Sequence, residues 1–184
     1  MAVAPRRWAA ELLHYWFHTL RPRDWFGRSD AVDAELRRRF GPDLKAMAAM
    51  SADSFLTDPL TARAAILLFD QVPRNIHRGS ADAFACDPLA RQIAYGMLWR
   101  EWDLRFPPAA RQFIAMPLMH SEAIADQLNA LAYFGRLGPR HGAPYARSHY
   151  RMIARFGRFP HRNPVLGRAS TPAELKAVAA GNAW

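Results

Sequence analysis

Six consecutive apolar residues in the middle of the chain constrain its fold more than any other sequence feature. They run from Ala64 to Phe69, and the polar string DQVPRN follows directly at positions 70–75. The pair Asp58-Pro59 before them is typical of a helix start, since aspartate caps a helix and proline fits its first position. A helix that is apolar on every side has to be surrounded by other elements. We therefore predict a central helix that begins at Pro59, hinges at Pro73 and carries polar groups at its C-terminal end.

The rest of the chain shows helical spacing and no alternating strand pattern. The predicted helices are 5–20, one capped by Ser29 and ended by Gly41, one from Pro88 capped by Asp87, one from Pro107 that Pro117 breaks or kinks, one capped by Ser121 and running to Leu137, 144–156, and one from Pro172 with the capping box Thr171 and Glu174. These segments predict an all-α fold, an antiparallel array of about eight or nine helices joined by short loops. The length fits a single helical domain over residues 1–184.

Composition excludes several classes of protein. Hydrophobic residues make up 51% of the chain and charged residues 22%, which is typical of a globular protein. The longest apolar run, six residues, is far shorter than a membrane span, so we expect no membrane association. Cys86 is the single cysteine, which rules out an intrachain disulfide and favours the cytoplasm. Its apolar neighbours predict a small buried side chain rather than a nucleophile.

The chain is strongly basic, with a net charge of +9 and a pI near 10.7. Such a charge attracts phosphate backbones and acidic partners. Yet its arginines are scattered along the chain, without the basic cluster or known motif of nucleic-acid-binding proteins. The sequence therefore does not favour nucleic acid as the partner.

Polar residues are dense beside apolar ones in three segments: positions 70–75, MHSE at 119–122 followed by Asp126, and RFGRFPHRNP at 155–164. In the third, two prolines stiffen a turn, and Arg158 and Arg162 suit bidentate recognition of a carboxylate or phosphate. His161 can exchange a proton near neutral pH. The candidate ligand-binding residues are Asp70, Gln71, Arg74, Asn75, His120, Glu122, Asp126, Arg158, His161, Arg162 and Asn163.

Two alternatives compete with a binding site. A polar stripe starts at Glu122 and Asp126, and a basic stripe on the next helix comprises Arg147, Arg151, Arg155 and Arg158. Facing each other, the stripes would form an ion-pair network, which we favour over a shared groove. The proline-stiffened turn either contacts a ligand or cross-links helix ends through backbone carbonyls.

No metal or cofactor is predicted. His120 and Glu122 are two residues apart, not the four that place two ligands on one helical face. No glycine-rich phosphate loop or paired-cysteine motif occurs. The other histidines considered, His14, His18, His141 and His149, are predicted to be exposed or partly packed.

The segments LLFDQVPRNIHRG, MPLMHSE with the following ADQ, and IARFGRFPHRNPVLGR resemble the signature segments of the bacterial domain-of-unknown-function 924 family. The early segments around Trp16 and Trp25 extend the resemblance over nearly the whole chain. The resemblance implies an all-α fold similar to the tetratricopeptide-type superhelix. It brings no established activity.

Two functions fit the polar segments. The first is a cytosolic binding module for a small anionic ligand or an acidic peptide or protein partner, held by the arginines. The alternative is an enzyme, most plausibly a hydrolase, with His120 or His161 as acid and base and Asp70 or Glu122 as its orienting carboxylate. The sequence leaves the oligomeric state open.

Overall fold

The computed structural model describes residues 6–182, and all regular structure in that range is helical. The α-helices are α1 Arg7–His14, α2 Pro22–Phe26, α3 Asp30–Met47, α4 Pro59–Ile66, α5 Val72–Ile76, α6 Asp87–Trp99, α7 Pro108–Met119, α8 Ile124–Leu137, α9 Ala143–Phe156 and α10 Pro172–Ala179. A π-helical turn, Leu67–Gln71, joins α4 to α5 without a break, so the described residues contain nine separate α-helices. The predicted all-α fold is confirmed. The predicted start of the first helix, Pro5, lies outside the described residues.

Contacts along the chain divide it into two compact units. The first comprises the described residues up to Arg78 together with Asp82–Phe106, and the second comprises Gly79–Ala81 together with the part from Pro107 onward. In the first unit α4 contacts α1 and α6, and α5 contacts α3. In the second, α8 contacts both α7 and α9. The single domain and the tetratricopeptide-type superhelix stay predictions.

The central helix is buried as predicted. All six side chains from Ala64 to Phe69 are fully shielded from solvent. Asp58 caps the helix, because its Oδ1 accepts the N–H groups of Leu60 and Thr61, each at 2.9 Å. The predicted hinge at Pro73 is wrong, since the chain stays helical to Ile76. In a regular α-helix a proline ring clashes with the carbonyl four residues earlier. The wider π-helical turn directly before Pro73 relieves this clash.

Two other predicted helix ends are also wrong. α3 continues past Gly41 to its end at Met47, with Pro42 inside it. Leu44, one turn beyond the buried Phe40, is itself buried, so the apolar stripe extends across the proline. Likewise α7 continues through Pro117 to Met119, so the predicted break there is wrong, while the alternative of a kink stays a prediction. In both helices burial beyond the proline compensates for the backbone hydrogen bond that proline removes.

Two of the predicted caps act differently. Asp87 lies in the first turn of α6, where its carboxylate binds Arg74. Helix α8 starts at Ile124 rather than next to Ser121, whose Oγ accepts the Ala123 N–H at 3.1 Å. The caps at Ser29 and Thr171 are confirmed. Among the described residues, no helix combines the length and the apolar character needed to cross a membrane.

Candidate functional site

In the first unit, the C-terminal half of the central helix carries a charged network. Arg74 donates from both terminal nitrogens to Asp87, at 2.7 and 2.9 Å, and its Nη1 lies 3.2 Å from Oδ1 of the fully buried Asp70. Gln71 Nε2 donates to Asp70 at 2.6 Å. Burial alone would lower the pKa of Arg74, but the two carboxylates outweigh it and raise that pKa above its usual value. The network therefore holds a buried charge with its counter-charges.

The same network continues one turn further along the helix. Asn75 Nδ2 donates to the Gln71 carbonyl at 2.9 Å, and its Oδ1 accepts from Arg78 at 2.7 Å. Arg78 also pairs with Asp33 of α3 at 2.7 Å. The predicted residues Asp70, Gln71, Arg74 and Asn75 thus lie together, in contacts that fix α3, α5 and α6 to one another. A ligand role for them stays a prediction.

In the second unit, three histidines and one arginine gather around a buried phenyl ring. The Phe159 ring centre lies 5.3 Å from that of His149 and 5.7 Å from that of His161. The His120 and His149 rings are 6.1 Å apart. Arg162 stacks 4.6 Å from the Phe159 ring centre and donates to the His120 carbonyl at 3.0 Å. The second and third predicted segments therefore meet, and we call these five residues the histidine cluster.

His149 corrects the prediction that it is exposed or only partly packed, since the structure buries it. Its Nδ1 lies 2.9 Å from the Tyr145 carbonyl. A carbonyl can only accept, so Nδ1 carries the hydrogen and Nε2 the lone pair. Burial, with a smaller contribution from the neighbouring His120, lowers the pKa of His149 to about 3. The ring is therefore neutral at pH 7.

The loop that carries the cluster is clamped by one ion pair. Glu122 accepts two hydrogen bonds from Arg168, at 2.7 and 3.0 Å, and a third from the Phe159 N–H at 2.7 Å. Arg168 also donates to the Phe159 carbonyl at 3.2 Å. Burial would raise the pKa of Glu122, but these hydrogen bonds outweigh it and lower that pKa. Side chains thus hold both backbone polar groups of Phe159, its N–H and its carbonyl.

The other predicted residues of this unit make structural contacts. Arg158 donates to Glu174 at 2.6 and 3.0 Å and to the Ala169 carbonyl at 2.9 Å. This pairing lowers the pKa of Glu174 to about 2. Asn163 donates to Ser170 at 3.0 Å. Asp126 accepts from Ser121 at 2.5 Å. The bonds of Arg158 and Asn163 fix the loop after α9, which carries His161 and Arg162, while the Asp126 bond fixes the start of α8.

Comparison of the sequence with family models assigns the chain to one family. The sequence profile described as "bacterial protein of unknown function (DUF924)" matches residues 12–182. The chain belongs to this family. Among solved structures, the chain is similar to that of the protein of unknown function ATU0120 from Agrobacterium tumefaciens. The two share 36% identical residues with a TM-score of 0.88, over 94% of this chain and 97% of that one. No functionally curated protein matches the chain.

In this DUF924 chain the predicted ion pairs between two stripes do not form among residues 6–182. Glu122 pairs with Arg168 and Arg158 with Glu174, each outside the opposite stripe. The other three stripe arginines lie exposed on α9. The reason is that Glu122 precedes α8 rather than lying on it, so the acidic stripe is not one helical face.

Sequence reasoning missed two residues that shape the site. His149 follows Ala146 and precedes Met152 by three residues each, a spacing that places it on the inward face of α9 with these two buried residues. Arg168 ends the third signature segment, but nothing in its spacing pairs it with Glu122, 46 residues earlier. The first could have been found from helical periodicity, whereas the second required the structure.

The described part of the chain contains no group of three or more His, Cys, Asp or Glu residues placed to hold a metal ion. Cys86 is half-buried, whereas a buried side chain was predicted. Burial raises the pKa of its thiol, which keeps the thiol protonated at neutral pH.

Proposed function

We propose that this protein binds a small anionic ligand at the histidine cluster, with His120, His161 and Arg162 as its contacts. One observation carries the proposal: three imidazoles and a guanidinium converge on Phe159 within 6.1 Å between neighbouring ring centres. Imidazole and guanidinium groups are the donors that carboxylates and phosphates select.

Rigidity of the loop supports binding. The Glu122–Arg168 clamp fixes the Phe159 peptide before any ligand arrives, and the Arg158–Glu174 pair fixes the other side of the loop. A site held in advance loses less entropy on binding. The single cysteine supports a cytoplasmic location as part of the same proposal.

Isothermal titration with inorganic phosphate tests this function. The variants are Arg162→Met, which keeps an apolar stem over Phe159, and Arg147→Met, a control on the exposed arginine of α9. We expect about tenfold weaker binding in Arg162→Met, because a charge-assisted hydrogen bond is lost, and no change in Arg147→Met. Equal affinity in both variants, or no binding by the natural protein, would contradict the proposal. Binding of an acidic peptide but not phosphate would also contradict it and favour a protein partner.

One observation supports binding over the hydrolase alternative. The oxygens of Glu122 accept from Arg168 and the Phe159 N–H rather than from an imidazole. Ester or phosphoester hydrolysis that is lost in both His120→Ala and His161→Ala would reverse this preference.

A further inference from the structure

Arg63 of α4 lies between two aromatic rings in the first unit. Its guanidinium carbon is 4.6 Å from the centre of the Phe17 ring and 4.2 Å from that of the Phe106 ring. Stacking of this kind stabilises a cation by attraction to the ring faces. The two rings cover faces of the guanidinium, so its edge is the part left for hydrogen bonding.

The guanidinium of Arg63 has no carboxylate partner among residues 6–182. Its Nε is buried and makes no hydrogen bond, its terminal nitrogens bond to no group in the described part of the chain, and the residue as a whole is half-buried. Burial lowers the pKa of Arg63 to about 10, and no acidic side chain offsets this effect. Arg74 and Arg158, in contrast, are each paired with acids.

A desolvated cation without a counter-charge is costly, which is why buried charges are normally paired. Cation–π contacts with the two rings recover only part of that cost. The open edge of a guanidinium presents parallel donors that match a carboxylate bidentately. A ligand carboxylate at this edge would supply the missing charge.

Aromatic side chains continue from this position to the surface. The Phe17 ring centre lies 6.0 Å from that of Trp25, which in turn lies 6.3 Å from that of Phe26. Trp25 is held by a 2.8 Å hydrogen bond from its indole nitrogen to the Trp16 carbonyl. Phe26 at the end of the series is 64% exposed. An apolar surface therefore lies next to the uncompensated cation.

We propose that Arg63 binds the carboxylate of an organic acid whose apolar body lies against Phe17, Trp25 and Phe26. The site lies in the first unit and does not depend on the histidine cluster.

Isothermal titration with phenylacetate, acetate and benzyl alcohol tests the proposal on the full chain. Phenylacetate carries both the charge and the apolar body, while the other two carry one each. We expect phenylacetate to bind about tenfold more tightly than acetate, since burying a phenyl group adds apolar contact, and benzyl alcohol not to bind measurably.

Two variants assign the effect to Arg63. Arg63→Met fills the space between the rings without a charge, and we expect about tenfold or greater loss of phenylacetate affinity. Arg100→Met is the matched control, because Arg100 also stacks on an aromatic ring, Trp102 at 5.5 Å, but already donates to the Gly96 carbonyl. Its phenylacetate affinity should not change.

Phenylacetate binding that survives Arg63→Met would overturn the proposal, as would no binding by the natural protein. Equal affinity for acetate and phenylacetate would overturn the apolar part of it. Arg162→Met separates this site from the proposed function: phenylacetate affinity retained in that variant places the ligand at Arg63, and affinity lost there places it at the histidine cluster and contradicts the inference.

Discussion

At the scale of single residues, Asp70 and His149 show two ways of burying an ionisable group. Asp70 is fully buried beside Arg74, so its charge is compensated within the first unit. His149 is buried with its Nδ1 on a backbone carbonyl and stays neutral. A buried charged group needs a partner of opposite charge. A buried neutral histidine makes stability depend on pH, because the same group takes up a proton more readily in the unfolded chain.

Stability should fall on acidification because of His149. Its pKa is about 3 when folded and 6.5 when unfolded, so the unfolded chain gains a proton first as the pH drops below 6.5. The loss, about 5 kcal/mol, is complete near pH 3. Urea unfolding of His149→Asn from pH 7 to pH 4 should show a weaker pH dependence than the natural protein. The control His141→Asn, another histidine with Nδ1 on a carbonyl four residues earlier, should keep the natural slope. An unchanged slope in His149→Asn would contradict this account.

Removing the guanidinium of Arg74 should destabilise the protein strongly. Arg74→Met leaves the buried Asp70 without this counter-charge, at a cost of about 3–5 kcal/mol in the free energy of unfolding. The control Arg38→Met breaks the exposed pair with Glu35 and should cost less than about 1 kcal/mol. Urea unfolding measures both. Adding Asp70→Asn to Arg74→Met should recover part of the loss, and a double variant as unstable as the single one would contradict the argument.

At the scale of elements, helix starts were predicted better than helix ends. The caps at Asp58, Ser29 and Thr171 are local signals, since a side chain bonds to a backbone group two or three residues away. The ends expected at Gly41 and Pro117 failed because buried residues beyond them keep each helix going. Local sequence reports a cap, but only tertiary packing decides whether a proline ends a helix.

The candidate site, like the helices, was predictable where the signal is local in sequence and not where it depends on tertiary packing. Density of polar residues correctly marked the segments of His120 and His161, which meet in the second unit. Burial of His149 and pairing of Glu122 with Arg168 depend on how α9 and the following loop lie against each other. Contacts across 46 residues leave no periodic trace in one sequence.

Replacing Pro42 should stabilise α3. Pro42 is exposed inside the helix and cannot donate a hydrogen bond to the carbonyl of Arg38. We expect Pro42→Ala to raise the free energy of unfolding by about 1–3 kcal/mol, after allowing for the greater freedom of the unfolded chain. Pro59→Ala is the control, because Pro59 occupies the first helical position, where no such bond is lost. A loss of stability in Pro42→Ala, measured by urea unfolding, would contradict this explanation.

At the scale of the whole molecule, a net charge of +9 combines with acids that are largely committed to internal pairs. Asp33, Asp70, Asp87, Glu122 and Glu174 each bind an arginine. The surplus of arginine raises the affinity of the surface for any anion. An experiment therefore has to distinguish nonspecific attraction of anions to the basic surface from binding at a defined site.

Binding to duplex DNA should be weak and should vanish with salt. A positively charged surface without a motif that recognises base sequence gains affinity for DNA from counterion release alone. We expect a gel shift of random duplex DNA at about 20 mM salt and none at about 200 mM. Phosphate binding at the histidine cluster should persist at the higher salt concentration. A sequence-dependent shift that survives 200 mM salt would contradict the assignment of a small ligand.

The histidine cluster as an anion site can be tested directly by anomalous diffraction from crystals soaked in tungstate, a heavy analogue of phosphate. We expect an anomalous peak within hydrogen-bonding distance of Arg162 and of His120 or His161. Peaks confined to exposed arginines of α9 such as Arg147, with none at Arg162, would contradict it.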